Sequence, residues 1–349
     1  MTRQIPITEF LQLNDPVALI DVRTPAEFEK GHIPGAFNVP LFTNEERVKV
    51  GTTYKQVGRE EAILLGFDLT GGKWSGFIKR ALEIAPDKKI AVHCWRGGMR
   101  SGAMAWALDL YGFEVSVIKG GYKSYRRWAH QQFAKLYPLY ILGGMTGSGK
   151  TRILHHLKVA GEQVIDLEDL AQHQGSSYGT MNKLVQPTQE QFENNFAYQL
   201  KGMDAARRIW VEDESITIGK CAVPIPFWHQ MRDAALIDLK IDVEQRIAML
   251  VEEYGQLDKD FLVECTSRIR KRLGPEQTKH AIAAIKENRM DDFIRLVLVY
   301  YDKTYRAGLL KRGAEQVFAL ELESADANRN AKKLLNFITR LNQPGIIQH

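Results

Sequence analysis

Along the chain, short runs of consecutive apolar residues alternate with longer stretches in which apolar positions recur every three or four residues. The short runs predict strands buried on both faces, and the longer stretches predict amphipathic helices. Strands are predicted at residues 17–23, 37–40, 88–93, 139–143, 163–166, 207–214 and 235–241. Helices are predicted from Thr24-Pro25, where Thr24 caps and Pro25 fills the first turn, and at 59–65, 74–84, 101–111, 121–136 and 152–160. From Val243 onward the pattern is helical, over 243–254, 258–273, 276–287 and 290–307. Strands alternating with helices predict an α/β chain built on parallel sheets, with a helical C-terminal part.

A chain of 349 residues exceeds the ~250–300 at which single cores stop growing, so two domains are expected. Pro138 breaks the helix that precedes the strand at 139, which sets the boundary: residues 1–135 and 136–349.

The strand at 139 runs into Gly144-Met145-Thr146-Gly147-Ser148-Gly149-Lys150-Thr151, which fits G-x-x-x-x-G-K-[ST] at every position and is followed by a helix. This reads as a phosphate-binding P-loop. Backbone N–H groups of the glycine turn and of the helix start converge on one concavity, Lys150 adds a point charge, and Thr151 offers a hydroxyl to Mg²⁺ or to phosphate. The strand at 207–214 ends in carboxylates, and Glu212 or Asp213 is the candidate to hold Mg²⁺ through water; a solvated acidic strand end is the alternative.

The strand at 88–93 delivers Cys94, followed by Trp95-Arg96-Gly97-Gly98-Met99-Arg100 and then a helix. Such a loop can curl its amides around the sulfur. Amides, the helix start, Arg96 and Arg100 each favour the thiolate, so Cys94 is the candidate nucleophile. Cys221 and Cys265 lie far away, without metal-ligand spacing or a disulfide framework.

Four stretches in order, Leu19 to Arg23 with Glu27-Phe28, Gly31 to Ala36, the Cys94 loop, and Val117 to Tyr122, resemble the rhodanese superfamily over about residues 5–135. The resemblance implies a cysteine that carries a chalcogen in a cradle of loop amides. It gives Asp21, Arg23 and His32 a structural role. The order of the parts, a rhodanese-like domain followed by a P-loop NTPase-like parallel-sheet domain, resembles the family of tRNA 2-selenouridine synthases, with the His173-Gln174-Gly175-Ser176 loop as a third anchor. That resemblance implies an enzyme that replaces the sulfur of wobble-position 2-thiouridine in tRNA by selenium. The selenium comes from selenophosphate, and geranyl transfer from geranyl diphosphate to the 2-thio group is the route. It also implies a selenophosphate source enzyme as a partner, selenium carried on Cys94 as a selenosulfide, diphosphate held at the P-loop, and no tightly bound cofactor. Two other classes fit the residues: a sulfurtransferase fused to a small-molecule kinase or ATPase, and a nucleotide- or redox-sensing module that catalyses nothing.

Charge adds one element. The net charge of +5 lies in the first part, since residues 1–140 carry 19 Lys+Arg against 14 Asp+Glu while residues 141–349 carry 28 of each. Arg268, Arg270, Lys271 and Arg272 crowd one predicted helix and are candidate tRNA contacts; a solvated helix face is the alternative. No apolar run approaches the ~18 residues of a membrane span and the first residues lack signal-peptide character, so a cytoplasmic location is expected.

Overall fold

The structure, a computed structural model, describes residues 2–173, 178 and 185–341. The chain divides into two units, one of residues 1–133 with 188–201, the other of residues 134–187 with 202–349. The sequence placed the whole of 136–349 in the second domain; helix Gln189–Lys201 instead belongs to the first. Its apolar stripe explains this. Phe192, Phe196 and Leu200 are buried, Phe196 packs on Phe133, and the Asn194 carbonyl accepts the hydroxyl of buried Tyr125. A helix pattern shows that one face must be covered, but not by which neighbour.

The first unit holds a five-stranded parallel sheet in the order Arg3–Pro6, Glu114–Lys119, Lys89–His93, Ala18–Asp21, Phe37–Asn38. Strand Lys89–His93 is central and almost wholly buried, so its carboxyl end delivers Cys94 at the middle of the sheet edge. Helix Pro25–Lys30 starts on Thr24, which forms a capping box with Glu27. Asp21 and Arg23 are buried, joined by two parallel hydrogen bonds, from Nε to Oδ1 at 3.0 Å and from a terminal guanidinium nitrogen to Oδ2 at 2.6 Å, and Arg23 also donates to the Gly31 carbonyl and lies over the Tyr122 ring. They hold the loops together. His32 stacks on Phe28 and its ring nitrogen lies 3.0 Å from the Phe28 carbonyl.

The second unit holds another five-stranded parallel sheet, ordered Val317–Glu321, Ala235–Lys240, Leu139–Gly144, Ile209–Glu212, Gln163–Ile165. The P-loop strand is central. The helical region follows strand Ala235–Lys240 and packs a core of its own around Tyr178, Tyr254, Cys265 and Phe293; the chain then returns to the sheet with Val317–Glu321 and covers it with helix Ala327–Leu341. Strand Val317–Glu321 escapes a sequence reading because its burial is intermittent, as befits an edge. Among the described residues no helix is long and apolar enough to cross a membrane.

Candidate active sites in the two units

Cys94 is buried at the end of its strand, with the Gly98 amide donating to Sγ at 3.3 Å and the Ser101 hydroxyl 3.3 Å from it. Helix Met99–Tyr111 has no side-chain cap, so its first amides are free to face the sulfur. Burial pushes the Cys94 thiol up. The Ser101 hydroxyl, the amides of Ser101 and Arg96 and the charge of Arg100 outweigh it and hold the thiol below its ordinary range. Arg96 thus acts through its backbone while its side chain is exposed, a correction to the expectation of two flanking guanidinium groups. Arg100 is fixed by Glu27 at 2.7 Å. Trp95 and Met99 are exposed at the loop's rim.

The loop is closed by the Gly120-Gly121 pair and the residues that follow it. Tyr122 N–H donates to the Cys94 carbonyl at 2.8 Å and Lys123 N–H to that of Trp95 at 3.0 Å. Gly121, at φ +56°, comes so close that a Cβ there would strike the Cys94 carbonyl and the Gly97 nitrogen. Only glycine fits.

Below that sheet edge His93 is fully buried. Burial holds its imidazole below the usual range, against the pull of Asp21, so it is neutral near pH 7. Burial pushes the Cys221 and Cys265 thiols up, so of the three cysteines Cys94 alone is held below the ordinary thiol range.

In the second unit, Gly144, Gly147 and Gly149 all adopt positive φ, and helix Lys150–Val159 begins directly after them. Lys150 Nζ donates to the Gly144 carbonyl at 3.0 Å, Thr151 is exposed at the helix start, and Ser148 is buried with its hydroxyl unpartnered. Met145 and Thr146, at the loop's crown, are held from behind. Buried Arg246 donates to the Thr146 carbonyl at 2.9 Å, lies 3.3 Å from Met145 Sδ, and is itself clamped by Asp302 at 2.5 Å. Gly147 packs against the Arg246 backbone, where a Cβ would sit 3.0 Å from the carbonyl oxygen.

A parallel sheet brings the carboxyl ends of its strands to one edge, and Leu142 pairs in register with Glu212. The chain segments leaving the neighbouring strands therefore gather beside the P-loop. Glu168, Glu212 and Glu214 place carboxylate oxygens within 4.8 Å of one another. Glu212 is fully buried, accepts the Glu168 amide at 3.0 Å through one oxygen, and has no partner on the other. Burial first, then mutual repulsion, pushes Glu168 up to about 8, while burial offset by Lys150 leaves Glu214 at about 7 and Glu212 is driven well above the usual carboxylate range. Three crowded carboxylates, one with an orphaned buried oxygen, fit a hard divalent cation.

Asp213 is not in this cluster. It points to buried Arg312 at 2.9 Å, which also donates to the carbonyls of Met231 and Arg232, so its role is structural. Alternation along a strand puts neighbours on opposite sides. Glu168 and Glu214 were missed because neither lies in a motif; the signal was their place at the carboxyl ends of predicted strands, Glu214 closing the one at 207–214 and Glu168 two residues past the one at 163–166. Arg268 ends helix Lys259–Arg268, whereas Arg270, Lys271 and Arg272 lie on Arg270–Leu273, so the expected single helix breaks at buried Ile269. All four cations are exposed, with Arg268 paired to Glu264. Of the candidate substrate loop His173-Gln174-Gly175-Ser176-Ser177-Tyr178-Gly179, residues 174–177 and 179 lie outside the described residues; His173 and Tyr178 are described.

Taken together, the cysteine cradle at the end of a central parallel strand and the glycine-rich cradle at the end of another define a rhodanese-like unit joined to a P-loop unit. Family models agree: that of the rhodanese-like domain matches residues 8–127, and that of the tRNA 2-selenouridine synthase AAA domain matches residues 137–333. The chain is 36% identical over 358 aligned positions to a tRNA 2-selenouridine synthase of Shewanella denitrificans, covering 91% of this chain and 96% of the relative. It is 34% identical to one of Pseudomonas putida strain W619, covering 91% and 92%, and 36% identical to one of Hydrogenovibrio crunogenus, covering 85% and 90%. The chain belongs to the tRNA 2-selenouridine synthase family.

Proposed function

We propose that this chain is a transferase that exchanges the sulfur of wobble-position 2-thiouridine in tRNA for selenium, with an S-geranylated nucleoside as intermediate. The observation that carries the reading is the Cys94 cradle, a buried thiol that hydroxyl and amide donors hold below its ordinary range, in one chain with a phosphate cradle. The names of the relatives support the substrate.

In the first step the 2-thio sulfur attacks C1 of geranyl diphosphate. An S–C bond forms, the C–O bond breaks with its electrons leaving on diphosphate, and the N3 proton of the uridine goes to solvent. Lys150, the amides of Gly144–Thr151 and the helix start would take up the charge that develops on the leaving oxygen. Glu168, Glu212 and Glu214 would hold Mg²⁺, which when bound offsets charge on phosphate oxygens.

In the second step selenium held on Cys94 as a selenosulfide adds to C2, forming an Se–C bond, and the C2–S bond breaks to release geranylthiol. Alkylation has made that sulfur the better leaving group. A cellular thiol then attacks Cys94 Sγ and breaks the S–Se bond, which leaves 2-selenouridine and a mixed disulfide on Cys94. Selenophosphate from its source enzyme displaces the thiol through selenium, and water removes the phosphoryl group. The thiol is regenerated, so no net oxidant or reductant is consumed.

Nucleoside mass spectrometry of tRNA from cells carrying single variants tests the division. Lys150→Ala should leave 2-thiouridine unmodified, with alkylation reduced on the order of 10²-fold, as is usual when a fixed charge facing the transition state is removed. Cys94→Ser should accumulate S-geranyl-2-thiouridine without 2-selenouridine. A folded Cys94→Ser protein that no longer geranylates would overturn the assignment of the steps to separate sites.

A further inference from the structure

The first unit carries a cavity of about 710 Å³ that the chemistry above does not use. Its walls come from helices Asn44–Gln56 and Arg59–Thr70, from Trp74, and from Met99, Arg100 and Ala103 on the helix that follows the Cys94 loop. Helix Asn44–Gln56 buries none of its residues fully and Arg59–Thr70 only Ala62 and Thr70. Their apolar side chains are left facing the cavity. Val48, Tyr54, Phe67 and Met99 are each more than half exposed although they line a concave surface, at 65%, 51%, 56% and 53%. The charged lining residues are all cations, Arg47, Lys55, Arg59 and Arg100.

An apolar hollow whose charged lining residues are cations, of which Arg100 is already paired to Glu27, fits a hydrocarbon group attached to a polyanion. Its volume is in the ~300–1,000 Å³ range of sites that bury most of a small ligand. Two sources share that chemistry, a free prenyl diphosphate and an alkyl group already carried on tRNA. Position favours the second. The Gly98 amide that donates to Cys94 Sγ directly precedes Met99 and Arg100 in the cavity wall, so the cavity borders the helix start that faces the sulfur. Resting on the proposed function, we infer that this cavity receives the S-geranyl group of the alkylated wobble nucleoside. There it holds the alkylthio leaving group while C2 faces Cys94, and the cationic rim meets the flanking phosphodiesters.

The inference is tested with the full chain and two anticodon stem-loop RNAs carrying S-geranyl- or S-methyl-2-thiouridine. The unmodified protein should convert the geranyl RNA at much lower KM than the methyl RNA, since each buried methylene contributes roughly a fourfold gain in affinity. Val48→Asp, at an exposed position where folding tolerates a charge, and Ala103→Trp, which fills the hollow, should each raise KM for the geranyl RNA by about tenfold or more, the equivalent of two or so methylenes left unburied. Both should leave the methyl RNA and alkylation by geranyl diphosphate unchanged. Equal effects on both RNAs, or no chain-length preference in the unmodified protein, overturn the inference. So does slower alkylation with normal turnover of geranyl RNA, which would place the free diphosphate there instead. Binding without turnover separates this inference from the reading it rests on: S-geranyl-2-thiouridine should quench tryptophan fluorescence, and Trp74→Phe should abolish the quench. Quenching without conversion of geranyl RNA would sink the proposed reaction but keep the cavity as an alkyl site; conversion without quenching or chain-length preference would do the reverse.

Discussion

Ser101→Ala should slow the alkylation of Cys94 near neutral pH while leaving the first unit folded. Ser101 is fully buried, its hydroxyl 3.3 Å from Cys94 Sγ and 3.1 Å from the Gly98 carbonyl oxygen. With a thiolate present it can donate to sulfur, and with a thiol present to the carbonyl, so it favours the anion. A hydrogen bond to a charged group contributes about 1.5–3 kcal/mol, which corresponds to a thiolate fraction about 10- to 100-fold smaller once the hydroxyl is gone. A more basic thiolate is a stronger nucleophile, with a Brønsted slope of about 0.4–0.5, so roughly half of that logarithmic loss is regained. The net rate should fall about 3- to 10-fold, the square root of the change in thiolate fraction. Iodoacetamide alkylation followed at each cysteine across pH measures it. The Cys94 inflection should move to higher pH, and above both inflections the variant should match or overtake the unmodified protein. A folded variant with an unmoved inflection would refute the reasoning, because the amides and Arg100 alone would then hold the charge. In the unmodified protein Cys94 should react well ahead of Cys221 and Cys265, whose thiols burial pushes up.

The acidic cluster makes stability depend on pH. Glu214 and Glu168 sit at about 7 and about 8 in the folded chain, against 4.5 for an ordinary glutamate. The fold therefore binds their protons more tightly than the unfolded chain does, so their contribution is complete below about pH 4.5 and is lost as pH rises through about 7 to 8. Melting temperature in chelator should fall across that window, more gently in Glu214→Gln, and Mg²⁺ should restore more stability at the upper end; an identical slope in the variant contradicts this. Arg246→Ala should cost about 2–4 kcal/mol in urea unfolding, somewhat less than a fully buried pair because Asp302 is 19% exposed, and should weaken diphosphate binding. A stability within error of the unmodified protein would exclude Arg246 as the anchor of the P-loop crown. Neutralising Arg268, Arg270, Lys271 and Arg272 should make the slope of log Kd for tRNA against log salt shallower by roughly 0.7–0.9 for each phosphate no longer neutralised, and an unchanged slope would place tRNA elsewhere.

What the chain declares locally was legible in its sequence. The P-loop is eight consecutive residues between a strand and a helix, and the Cys94 loop is seven, so residue type and spacing dictate both cradles through backbone geometry alone. The buried strands at 139, 209 and 235 read clearly because both faces of a central parallel strand must be apolar. Tertiary structure alone decided which distant segments meet. Helix Gln189–Lys201 joins the first unit through Phe192, Asn194 and Phe196, whose partners no short window of sequence contains. Likewise Asp213 turns to Arg312 while its neighbours Glu212 and Glu214 turn to Glu168, because register with the P-loop strand and the alternation of side chains settle each direction. Ser101 reaches Cys94 only through the turn of a helix, and Arg246 reaches the P-loop from a helix a hundred residues away in sequence. Motifs are local and so are read from the chain. The groups that tune them arrive by packing, whose energy depends on shape and burial summed over many weak interactions rather than on any pattern in the chain.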